Sequence, residues 1–156
     1  EVGEVGEFPL TDPPLATTRY ELADVRFGER RCFAVRAVDT VAGVTIEGPL
    51  SEPGCVTPVD TFPPAAPGSL AAVATSGAIS LIWDGGSEAD LAGYIVLRGA
   101  GAGASLETLT PTPIRETTYR DERVTPGTRY VYAVVAVDTA GNASGQSNRV
   151  EETARP

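Results

Sequence analysis

The sequence predicts an all-β chain of tandem two-sheet sandwiches, the first lacking its opening strands. Three observations predict it. First, Gly28-Glu-Arg-Arg-Cys-Phe-Ala-Val-Arg-Ala-Val-Asp-Thr40 returns as Gly127-Thr-Arg-Tyr-Val-Tyr-Ala-Val-Val-Ala-Val-Asp-Thr139, an offset of 99 residues. The same offset carries Tyr20 onto Tyr119, Val25 onto Val124 and Phe33 onto Tyr132, so a whole segment is repeated. A period of this length is too long for a solenoid and suits an independently folding domain. Second, 17 Gly and 13 Pro punctuate runs of Val, Thr and Ala, and helix signals are scarce. Third, the second copy alone carries about seven short runs of strand character separated by turn signals, the pattern of two packed sheets.

These observations divide the chain into residues 1–58, the C-terminal part of one domain; 59–67, a Pro-rich linker; and 68–156, a complete domain. The counterpart of the second domain's opening lies upstream of Glu1, so the expectation is that Glu1 is not the natural start. A half sandwich exposes an apolar face and an unpaired edge. Prolines in Val59-Asp-Thr-Phe-Pro-Pro-Ala-Ala-Pro67 fix φ and hold that segment extended, as a spacer between domains.

In the first domain, the midpoint of Cys32 and Cys55 falls in the loop after Asp39. Strands folded about that loop set the two cysteines opposite one another, within reach of a cross-strand disulfide if both face the same way. The alternative is two free thiols in a reducing compartment. A metal site is disfavoured because two thiols with no His fall short of four ligands. In the second domain, Leu70–Ala74 reads as a strand. Ile79, Leu81 and Trp83 then alternate with Ser80 and Ile82, which places Trp83 in the core. Leu91–Arg98 follows, with Tyr94 and Val96 on one face, then the loop from Gly99 to Gly103. Thr117–Arg120 is short. Tyr130–Asp138 is long and apolar and ends at the turn Thr139-Ala-Gly-Asn142, and Ser147–Thr153 closes the sheet.

Together, Ile79-Ser-Leu-Ile-Trp83, Leu91-Ala-Gly-Tyr94 and Thr125-Pro-Gly-Thr-Arg-Tyr130 through Ala136-Val-Asp138 resemble a fibronectin type III domain over about residues 63–155. The resemblance implies an immunoglobulin-like sandwich with Trp83 on its second strand. It also implies a tyrosine corner at Tyr130, whose hydroxyl bonds nearby backbone. Residues 15–58 resemble the last three strands of a preceding copy, with Phe27 in place of Pro126 and Arg31 in place of Tyr130. Tandem domains of this family are common in bacterial surface proteins, lipoproteins and polymer-degrading enzymes, as spacers or binding modules.

Net charge is −9, with 5 Arg against 11 acids in residues 1–60 and 7 Arg against 10 acids beyond. Neither half offers a basic patch, which disfavours nucleic acid and anionic membranes as partners. No apolar run approaches the ~18 residues of a spanning helix. With no His and no Lys, most catalytic constellations are excluded, and neither a catalytic residue, a cofactor nor a metal is expected. Gly99, Gly101 and Gly103 follow a strand with no helix after them, so they read as a hairpin loop and not a dinucleotide site. Asp84, Glu88 and Asp90 share a loop whose spacing fits no calcium motif and read as a solvated turn. Asn142-Ala-Ser144 is a glycosylation triplet of a kind common by chance, and there is no Arg-Gly-Asp.

One feature goes beyond a bland sandwich. If Tyr130, Tyr132, Val134 and Ala136 point inward, then Val131, Ala133, Val135 and Val137 point outward, joined by Ile95 and Leu97. Such an apolar patch marks a candidate partner-binding face, although β propensity or a covering domain would also account for it. The resulting expectation is a non-catalytic interaction or scaffold module. It would be an accessory subunit of a bacterial cell-envelope complex, in the periplasm or at the cell surface, lipid-anchored through an upstream segment, with a protein or membrane complex as partner. The alternative is an accessory carbohydrate-binding or spacer module of a secreted polysaccharide-degrading enzyme. Sugar binding needs exposed aromatic platforms, and only 6% of residues are aromatic, most of them assigned to the core.

Overall fold

The computed structural model describes residues 9–101 and 103–156. It divides into two compact units, the first ending at Asp60 and the second spanning Thr61–Pro156.

The first unit is one antiparallel hairpin preceded by a stretch, residues 9–30, that takes no strand. Strand β1 (Arg31–Phe33) pairs with β4 (Gly54–Val56), and β2 (Val38–Val41) pairs with β3 (Val44–Glu47). The turn between β2 and β3 is Ala42-Gly43, with φ of 52° and 80°. Two consecutive positive φ values match the right-handed twist of a tight hairpin. Between the two paired segments the ladder continues, because Ser51 N donates to Val35 O at 2.8 Å and Gly48 N to Ala37 O at 2.8 Å. None of the described residues of this unit is buried.

The second unit is a two-sheet sandwich. One sheet holds β5 (Gly68–Thr75), β6 (Ala78–Asp84) and β9 (Thr118–Asp121), in the order β5-β6-β9. The other runs β11-β10-β7-β8, built from β7 (Leu91–Ala100), β8 (Glu107–Thr108), β10 (Arg129–Asp138) and β11 (Ala143–Gln146), and β12 (Val150–Thr153) also pairs with β10. The expected closing strand Ser147–Thr153 is thus present only as β12, and an unexpected strand, β11, precedes it; between the two, Ser147 turns its hydroxyl into the ladder. There, Ser147 N donates to Val134 O at 2.8 Å and Val134 N donates to Ser147 Oγ at 3.0 Å.

Period-two alternation sets the core. Leu70, Ile79, Leu81 and Trp83 of one sheet face Tyr94, Val96, Tyr132 and Val134 of the other, while Ile82 between them on β6 is 56% exposed. Each large core side chain removed from water contributes roughly 1.5–3 kcal/mol. The Pro-rich entry takes part in this packing: Pro64 and Pro67 are buried, and Ala65 N donates to Glu88 Oε1 at 3.0 Å.

Candidate functional site

The aromatic residues singled out in the sequence lie in the interior of the second unit. Trp83 and Tyr94 meet edge to face, with ring centroids 5.6 Å apart. Tyr94 Oη accepts from Gly86 N at 2.7 Å, which ties the β6–β7 turn to the core. Tyr130 Oη accepts from Thr125 N at 3.0 Å and holds the turn that precedes its own strand. Trp83 Nε1 is buried without an acceptor among the described residues, a cost of about 1–3 kcal/mol that the ring's burial outweighs.

Next to these rings is a buried polar centre that sequence reading missed. Asp121, at 0% exposure, ends β9 on the core side. Its Oδ2 accepts from Tyr132 Oη at 2.9 Å and from Arg98 at 2.9 Å, and its Oδ1 accepts from Arg123 N at 3.0 Å. Arg98 also donates to Arg123 O at 2.8 Å and stacks over Tyr130, 5.2 Å from the ring centroid. Burial, followed by the bond to Asp121, raises the Tyr132 hydroxyl far above its ordinary value of 10.0. Burial alone would lower the Arg98 guanidinium, but its bond and charge pairing to Asp121 outweigh this and raise it. A buried carboxylate with three donors is satisfied and structural: it stitches β9, β7 and β10 across the two sheets. The signal was present in the alternation, because Tyr119 and Asp121 share a side of β9, and an acid on the core side requires partners.

The outer apolar strip is not the bare surface that alternation alone implied. The register places Ala133 opposite Leu97 and Val135 opposite Ile95, so the six residues do share one side of the sheet. Yet Val131, Ala133 and Val137 are buried, and Val135, Ile95 and Leu97 are half-buried. One cause is visible beside Val131, whose β7 partner is Gly99. A Cβ added at Gly99 would lie 2.8 Å from Ser105 O and 2.9 Å from Ala104 Cβ, so the stretch after the glycine loop lies against this side. Gln146 and Arg149 are hydrogen-bonded to each other at 3.0 Å, and Arg129 pairs with Glu151 at 3.2 Å across β10 and β12.

Cys32 and Cys55 are directly opposite in the β1–β4 ladder and form a disulfide, both exposed. The bond is in keeping with an oxidising, extracytoplasmic setting. Glu88 of the acidic loop serves as a turn anchor: the backbone N–H of Ala65 lowers its carboxyl below the ordinary value. Asn142 of the glycosylation triplet is likewise structural. Its Nδ2 and N donate to the two carboxylate oxygens of Asp138, each at 2.8 Å. Burial pushes the Asp138 carboxyl up, but these donors, with Ala140 and Gly141, more than reverse it and lower it. No helix of the described residues is long and apolar enough to cross a membrane.

No protein-family model matches the chain. Endoglucanase B of Cellulomonas fimi is 38% identical over 130 residues, covering 80% of this chain and 12% of the enzyme. Chitinase A1 of Niallia circulans is 34% identical over 107 residues, covering 66% of this chain and 14% of that enzyme. The chain thus spans only about an eighth of the length of these relatives. A solved Fn3-like protein from Clostridium thermocellum is 30% identical, with a TM-score of 0.52, over 61% of this chain and 97% of that one. The match takes in nearly all of the solved protein and only small pieces of the enzymes, and the chain is accordingly a non-catalytic member of the fibronectin type III family.

Proposed function

We propose that the chain is a spacer module of a secreted polysaccharide-degrading enzyme, setting the distance between a catalytic domain and its neighbours. The observation that carries this reading is the similarity to a small part of enzymes bearing different names, an endoglucanase and a chitinase. A segment shared between different activities is not the part that defines either activity. This favours the enzyme-module expectation over that of an envelope-complex subunit.

Spacing is better supported than sugar binding. Carbohydrate platforms are flat arrays of exposed aromatic rings; Trp83, Tyr94, Tyr130 and Tyr132 of the sandwich are all buried, and the exposed rings are Tyr20 and Phe27 of the first unit and Phe62 in the Pro-rich entry. The mutual bonding of Asp121, Arg98 and Tyr132 ties the second unit's two sheets together, as a module that must hold its shape requires.

A depletion assay with insoluble cellulose, chitin and starch tests the reading. The chain should stay in the supernatant with all three. Retention on any one that soluble oligosaccharide competes away would replace the spacer reading with a binding one.

A further inference from the structure

Residues 61–69 enter the second unit as a strap that is held differently at its two ends. At the inner end, the backbone of Leu70 is fixed through both of its polar groups: its N–H donates to Asn148 Oδ1 at 2.9 Å and its carbonyl accepts from Asn148 Nδ2 at 2.9 Å. Just before it, Ser69 has a φ of 54°, a left-handed conformation that residues bearing a side chain rarely hold. The β5–β6 ladder is broken at the same place, between Gly68 and Ala71. The chain therefore has a joint at Ser69, immediately outside a firm anchor.

The outer end is fastened by a carboxylate. Pro63, Pro64 and Pro67 have no N–H to donate, and Ala65 N donates to Glu88 Oε1 at 3.0 Å. The turn that carries Glu88 is itself fixed, because Leu91 N donates to the Glu88 carbonyl at 3.3 Å and Gly86 N donates to Tyr94 Oη. A Cβ at Gly86 would collide with Glu88 Oε2, so glycine leaves the room that the carboxylate fills. That same oxygen is buried with no hydrogen-bond partner among the described residues, a cost that makes the docked strap easier to leave. We propose that residues 61–69 are a releasable strap, with Glu88 as its clamp and Ser69 as its hinge, which peels from the sandwich without unfolding it and lengthens the connection that enters at Thr61. Nine freed residues, extended at about 3.1 Å each, give about 28 Å of tether. Glu88 acts as a positioning residue. As a device that sets spacing the strap rests on the proposed spacer role; as part of the fold it is tested without any polysaccharide, so either can fail alone.

Amide exchange followed by NMR, and the distance between spin labels at Thr61→Cys and Thr118→Cys, test this on the 156-residue chain, with Glu88→Ala and Glu88→Gln beside the parent. Trp83 fluorescence in urea checks that each variant keeps its sandwich. In the parent, Ala65 should be protected but should exchange well before the core amide of Val134, through an opening that low urea does not accelerate. In Glu88→Ala, Ala65 should exchange at least about tenfold faster and the label distances should broaden to longer values, with the urea midpoint held. Glu88→Gln, which keeps an acceptor and loses the charge, should fall between the two. Exchange of Ala65 in step with Val134 in the parent would overturn the proposal, because the strap would then open only with the whole fold. It would be overturned equally by a Glu88→Ala variant that leaves exchange and distances unchanged, or by one that loses Ala65 protection only together with the urea midpoint.

Discussion

Replacing Asp121 with Leu, the residue at the equivalent place in the first unit, should be severe alone and mild in company. Alone, the substitution leaves Tyr132 Oη, at a residue 0% exposed, without its acceptor at 2.9 Å. It also leaves Arg98, whose side chain is 26% exposed, with only Arg123 O at 2.8 Å. Removing one partner of a buried ion pair costs about 3–5 kcal/mol, and a stranded neutral donor accounts for about 1–3 kcal/mol of such losses. The expected result is a loss of roughly 3–5 kcal/mol. Adding Tyr132→Phe removes the stranded hydroxyl and should return about 1–3 kcal/mol, and adding Arg98→Leu should return most of the remainder. Arg98 leaves behind its packing over Tyr130, worth about 0.5–1 kcal/mol. Urea unfolding followed by fluorescence of Trp83, the chain's single tryptophan, reads the second unit alone. If the Asp121→Leu and Tyr132→Phe losses added to within about 0.5 kcal/mol, the coupling would be absent and the account of the network wrong.

The same tyrosine gives a pH prediction. Its folded-state pKa lies above the ordinary 10.0, so the folded protein holds the proton longer; the stability is present below pH about 10 and declines as pH rises further. Tyr132→Phe should flatten that alkaline decline in a series of urea midpoints. In acid the sign reverses for Asp138, whose folded pKa is lowered: its contribution is present above the ordinary 3.8 and is lost as pH falls through the lowered value. Asn142→Ala should therefore shift acid unfolding to higher pH, followed by Trp83 fluorescence. Gly93→Ala should destabilise by roughly 1–3 kcal/mol, because its φ is +154° and a Cβ would lie 2.5 Å from Ile114 O; the urea midpoint checks this. Reducing the exposed Cys32–Cys55 bond should need no denaturant and should leave the Trp83 transition in place. Exchange at residues 31–56 should accelerate, since closing this loop is worth roughly 3 kcal/mol in the chain-entropy model.

Alternation made β5, β6 and β7 legible because each has one drier side. Ile79, Leu81 and Trp83 could be assigned to the core from spacing alone, and the hairpin midpoint brought Cys32 to Cys55. Three things escaped for physical reasons. The two-residue β8 is too short to carry a period, so only its pairing with Leu97 and Arg98 reveals it. The break between β11 and β12 depends on a serine hydroxyl standing in for a backbone group, and no pattern of apolar residues records that. The outer strip was read as a candidate partner-binding face because alternation tells which side a residue faces and not what lies against that side. The lack of a Cβ at Gly99, which admits the Ala104–Ser105 stretch, was the available clue.

The two units also bear on what the module is for, because each is a separate solution to the same hairpin. They share Gly28 with Gly127, Ala34 with Ala133, Val35 with Val134, Ala37 with Ala136 and Asp39 with Asp138. These are turn and strand-interior positions, and the Val–Ser bonding is kept even though 16 residues separate its partners in one unit and 13 in the other. They differ on the outer side of the strand, where Arg36, paired with Glu47, stands at the place of Val135. A binding array gains avidity by repeating its contact surface. A spacer needs only to repeat its shape. Leu22 and Phe33 stand where the second unit has Asp121 and Tyr132, so the first unit lacks that hydrogen-bonded polar pair. What the two copies hold in common is the pairing of the hairpin and not a surface, which supports the proposed spacer over a repeated binding face.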